Sequence, residues 1–125
     1  MKEYMLLFRN EKIDQAPSEE QMKMVLQQWQ NWISGIARAG KYSSTNRLLP
    51  EGKTLKPNNI ITDGPYLEAK EMVGGYVVIK AGSLDEAVKI AGACPNLLYG
   101  GNVEVRTVMT IDDDPMSGTF LHDKK

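Results

Sequence analysis

The chain has 125 residues, 42% of them hydrophobic and 25% charged, with a formal net charge of -1. That length suits one domain with a core of its own, and the composition excludes wholesale disorder. Lys and Arg are scattered, so the basic footprint that phosphate neutralisation leaves on a duplex-binding protein is missing, and nucleic acid is not an expected partner.

The single cysteine, Cys94, leaves no intramolecular disulfide to form and suits a reducing compartment. The apolar run "YMLLF" near the N-terminus is far too short for a signal segment or a membrane span. A cytoplasmic location without a membrane partner is therefore expected.

Tyr4 to Arg9 reads as a strand, with Tyr4, Leu6 and Phe8 on one face and Met5 and Leu7 on the other. Ser18-Glu19-Glu20-Gln21 is a capping box, in which the Ser18 hydroxyl accepts from the Gln21 amide while the Gln21 side chain reaches back. Behind it Met22, Val25, Leu26, Trp29, Trp32, Ile33, Ile36 and Ala37 fall on one helical stripe, and Gly40 ends the helix. Tyr42 to Leu49 reads as an edge strand. Two turn signals, Pro50-Glu51-Gly52 and Pro57-Asn58-Asn59, then frame a short hairpin whose return arm is Ile60-Ile61-Thr62.

Val73 to Lys80 is rich in β-branched residues and reads as a central strand. Ser83-Leu84-Asp85-Glu86 is a second capping box, opening a helix with Leu84, Ala87, Val88 and Ala91 on one face. Gly92 and Pro95 end that helix. Val103, Val105, Thr107, Met109 and Ile111 alternate with Glu104 and Arg106 as a last strand. The order β-α-β-(β)-β-α-β predicts an α+β, ferredoxin-like βαββαβ domain over 1–111 with an extra short hairpin. A polar tail, 112–125, is expected to dock through Met116, Phe120 and Leu121. Two helices cover one face of such a sheet, yet strands 4–9 and 73–80 are apolar on both. A second copy, sheet against sheet, is the simplest cover, so a homodimer is expected.

The set "TDGPY.EAKE..GGYVVI", "SLDEA", "CP" and "GG.VEVR" closely resembles the DGPF-domain branch of the YCII-related family, over roughly Tyr4 to Val108. Tyr66 stands where that branch usually has Phe. The resemblance implies a ferredoxin-like dimeric α+β barrel, small, bacterial and cytoplasmic, in a family that mostly lacks an established activity. Some members are encoded beside extracytoplasmic-type sigma factors. The family's proposed catalytic His and Asp have no counterpart here, because the first helix holds no His and Cys94 stands before Pro95 where the Asp is expected.

Asp63, ahead of Gly64-Pro65, has a structural cause as an Asx turn and a functional one as a general base. Lys70 behind it, or Arg106, is the candidate charge stabiliser, with Tyr66 and Glu68 as candidate ligand contacts. Gly74-Gly75 reads either as the hinge of a lid or as a bulge entering the strand. Tyr4 and Arg106 are further ligand candidates on the terminal strands. An inward Arg106 would need a carboxylate such as Glu104 or Asp63, or a ligand anion.

Cys94 fits a small buried residue better than a nucleophile. His122 with Asp112, Asp113 and Asp114 matches neither a calcium loop nor a zinc site, so no metal or other cofactor is expected. The leading reading is a small dimeric domain with a cleft for a small anionic or polar molecule, and cofactor-free acid–base chemistry there is an open question. The alternative is a non-catalytic accessory module acting through protein contact, for example with a sigma-factor system.

Overall fold

The computed structural model describes residues 1–11, 18–49, 51–63 and 71–109. In chain order they form β1 (Lys2–Glu11), α1 (Glu19–Arg38), β2 (Tyr42–Arg47), β3 (Lys53–Lys56), β4 (Ile60–Asp63), β5 (Glu71–Ala81), α2 (Leu84–Ala91), a 3-10 turn (Pro95–Tyr99) and β6 (Asn102–Thr107). Four strands make one sheet in the order β2-β5-β1-β6. Every neighbouring pair in it is antiparallel. Thus β5 lies between β1 and β2, the two strands joined by α1, and β1 lies between β5 and β6, joined by α2. These interlocked split βαβ units are the ferredoxin-like arrangement. The expected hairpin is present as a separate two-stranded sheet, in which β3 pairs with β4 alone. Its tip carries Asn58 at φ 70° and Asn59 at φ 62°, a left-handed pair that asparagine tolerates best among non-glycine residues.

The first capping box forms as the sequence dictates. Ser18 Oγ accepts from the Gln21 amide at 3.2 Å, and Gln21 Oε1 accepts from the Ser18 amide at 3.0 Å. At the other end Gly40 takes φ 73°, the left-handed exit that a side chain would resist. Burial concentrates in the C-terminal half of α1, where Trp29, Trp32 and Ile33 pack against the core and Ile36 is buried within it. Phe8, Trp29 and Trp32 meet edge to face in all three pairings, with ring centroids 4.9 to 6.0 Å apart. Met22 and Leu26, on the same stripe, stay exposed.

On the second helix the structure corrects two expectations. Ser83 Oγ does accept from the Glu86 amide, at 3.1 Å. The Glu86 carboxylate, however, does not close the box on Ser83, because it accepts from the Gly82 amide and from Lys41 Nζ instead. The inward face is also rotated. Ala87 and Ala91 are buried while Leu84 and Val88 are about half exposed. Alanines let this short helix sit close on the sheet, and the larger aliphatics are turned out to its rim.

The helix-covered face of the sheet is the core. Tyr4, Leu6 and Phe8 of β1 meet Val77, Ile79 and Ala81 of β5, with Leu6, Val77 and Ile79 fully buried. Alternation puts Glu3, Met5, Leu7 and Arg9 of β1 on the opposite face, which no described helix covers.

Candidate functional site

Strand register builds this helix-free face in rows. One row runs Asn46 (β2), Tyr76 (β5), Leu7 (β1) and Glu104 (β6). The next runs Ser44, Val78, Met5 and Arg106. Glu3 and Lys80 face each other beyond it. The centre of the face is thus apolar, through Met5, Leu7 and Val78, and its β6 side is charged.

Glu104 joins two guanidinium groups. Its Oε1 lies 3.1 Å from Arg9 Nη2 and its Oε2 lies 3.2 Å from Arg106 Nη1. Arg106 is the outer member, with its side chain 69% exposed, and Arg9 is the inner one at 27%. Arg9 Nε is out of contact with solvent and has no acceptor. Across Leu7, the Tyr76 hydroxyl accepts from Asn46 Nδ2 at 2.8 Å, so its own proton is free to be donated.

The backbone beneath Arg9 is fixed from the 3-10 turn. Asn96, buried, donates to Arg9 O at 3.3 Å and to Asn102 O at 2.9 Å. Gly101 fills the remaining space, since a Cβ there would come within 2.8 Å of Arg9 O and closer still to the Asn10 and Asn96 side chains. On the other flank Gly74 is skipped in the β1–β5 register, between Gly75 and Val73. A Cβ on Gly75 would come within 3.0 Å of Asn46 O. The bulge with close backbone approach expected of the Gly-Gly pair is present.

The residues singled out from sequence are dispersed. Arg106 lies on the helix-free face and has the carboxylate partner expected of it, Glu104. Tyr4 lies on the other face, in the core, at 3% exposure. Asp63 closes β4 in the separate hairpin sheet, opposite Lys53 in the register. Its side chain lies outside the described residues, as do Tyr66, Glu68, Lys70, His122, Asp112 to Asp114 and the whole tail 112–125. Arg9 was not found by sequence reasoning. It reads there as the polar end of an apolar strand, and only the β1–β6 register brings it to Glu104.

Cys94 is buried at 1% exposure, and loss of solvation pushes its thiol up to about 11, despite a hydrogen bond from the Asn96 backbone that acts the other way. A thiol so placed is not a nucleophile at neutral pH. Among the described residues no group of three His, Cys, Asp or Glu side chains is placed to hold a metal ion. No described helix is long and apolar enough to cross a membrane. An open groove of about 360 Å3 lies between the helices, over Trp32, Ile36 and Ile90. Its rim cation, Lys41, is already paired with Glu86.

The fold and this face define a small α+β domain of ferredoxin-like strand order, with a charged, helix-free sheet surface. Residues 4–112 match the YCII-related domain, and the chain belongs to that family. It is also similar to the uncharacterized protein R00369 of Rhizobium meliloti (strain 1021), at 32% identity over 107 residues, covering 81% of this chain and 86% of that protein.

Proposed function

We propose that this protein is a homodimer of the DGPF branch whose two sheets meet through their helix-free faces, enclosing a cleft that receives a small polar or anionic molecule. The observation that carries this reading is the composition of the face. Met5, Leu7 and Val78 form an apolar centre on the two central strands, flanked by Tyr76 on one side and by Arg9, Glu104 and Arg106 on the other. An apolar sheet centre with a few convergent polar groups is the usual make-up of a small-molecule site once it is covered.

Asp63 and Lys70 add acid–base chemistry to the proposal. They flank the segment that links β4 to β5, with Asp63 as the base and Lys70 as the group that offsets developing negative charge. A thermal-shift screen of small carboxylates and phosphates tests the cleft, because a ligand that binds only the folded state raises its melting temperature. The expected result is a rise with at least one anion, reduced in Asp63→Asn and Lys70→Met. No rise with any member of either class contradicts the reading.

A further inference from the structure

We infer that the Arg9–Glu104–Arg106 cluster is the anchoring point of the proposed cleft, and that its ligand is a small carboxylate with a flat, apolar body. The inference rests on the cleft reading and narrows it to one class of ligand and one set of residues.

Charge comes first. Two guanidinium groups share one carboxylate, so the cluster carries one positive charge in excess. Among the side chains described, the face's other charged groups are Glu3 and Lys80, which stand opposite each other.

Geometry decides which anion suits it. Glu104 occupies one terminal nitrogen of each arginine, leaving the remaining N–H groups of both without a described acceptor. On Arg9 the Nε is sealed from solvent and so from a ligand oxygen as well, which leaves its terminal nitrogens and those of Arg106 as the donors. A guanidinium edge is a planar fork that matches a carboxylate with two parallel hydrogen bonds. Beside it lies the apolar floor of Leu7 and Met5, suited to a flat hydrocarbon body. On the next strand, β5, stands the Tyr76 hydroxyl, oriented by Asn46 with its proton available to an acceptor on the ligand's far end. A phosphate would satisfy the arginines but leave the floor and Tyr76 unused.

Asn96 and Gly101 make the site a built one, because they clamp the Arg9 backbone from the 3-10 turn. Glu104 then has a second role. It bridges the two arginines and competes with an incoming carboxylate for them.

Isothermal titration of the full chain with sodium benzoate, benzamide and inorganic phosphate tests this. Benzoate is expected to bind, benzamide not to, and phosphate to bind at least tenfold more weakly than benzoate. Arg9→Gln should weaken benzoate at least tenfold. Glu104→Gln should tighten it about threefold or more, a change that a merely structural ion pair would not produce. Arg106→Gln, at the exposed end of the cluster, supplies the same test as Arg9→Gln with little risk to folding. Benzoate affinity unchanged in Arg106→Gln, or weakened in Glu104→Gln, overturns the assignment. Binding of phosphate in preference to benzoate overturns the carboxylate class while leaving the cleft reading standing, whereas no binding of any anion removes both.

Discussion

Arg9 and Cys94 show how position within a strand or turn fixes chemistry that residue type alone leaves open. Arg9 has its carbonyl held by Asn96 and its side chain by Glu104, so neither its backbone nor its guanidinium is free to swing away from the sheet. Cys94 is the opposite case: a reactive residue type made inert by burial. Its thiol, raised from 9.0 to about 11, keeps its proton in the folded state where the unfolded chain has already lost it. The linkage sign follows. The contribution to stability is full below pH 9, falls through the window from 9 to about 11, and is lost above it. Denaturant titrations of the protein and of Cys94→Ala should therefore converge as pH rises through that window. The folded protein should also react with iodoacetamide at pH 8 at least a hundredfold more slowly than the denatured chain, and equal rates would refute the burial.

At the scale of elements, much of the fold was legible because the signals were local. The Ser18 box, the Gly40 exit, the period-2 strands and the Pro57-Asn58-Asn59 turn each encode their geometry within a few residues, and each forms. The failures occurred where tertiary context overrode a local pattern. Glu86 could have closed its own capping box, but Lys41 and Gly82 offered a charge-assisted pair and a backbone donor, and the carboxylate went to them. Leu84 and Val88 yielded the inner face of α2 to alanines, which no hydrophobicity scale favours over leucine. The candidate site was less legible than the fold. Arg106 was visible in sequence, whereas Arg9 and Glu104 are separated by most of the chain and meet only through strand register. The Lys41 hydrogen bond, then the Gly82 amide, hold the Glu86 carboxyl below its ordinary 4.5. A lowered carboxylate contributes stability that is present above pH 4.5 and lost as pH falls through the lowered value. Glu86→Gln should thus melt below the parent at pH 7 and approach it as pH drops below 4.5. A difference that does not shrink in acid contradicts the pairing.

At the scale of the whole molecule, the central strands separate a helix-covered face from one that no described helix covers. The helix-covered face buries Tyr4, Leu6, Phe8, Val77 and Ile79. The other face carries Met5 and Leu7, both partly buried, and Val78, buried, with a charged margin, and in the proposed dimer a second copy closes over it. A twofold axis would place the same patch on both partners, so one substitution alters the contact twice. Light scattering on the full chain at micromolar concentration, run beside Leu7→Lys, tests this claim most directly. The parent is expected at twice 14.0 kDa and the folded variant as a monomer. A parent protein that scatters as a monodisperse monomer of 14.0 kDa would contradict it.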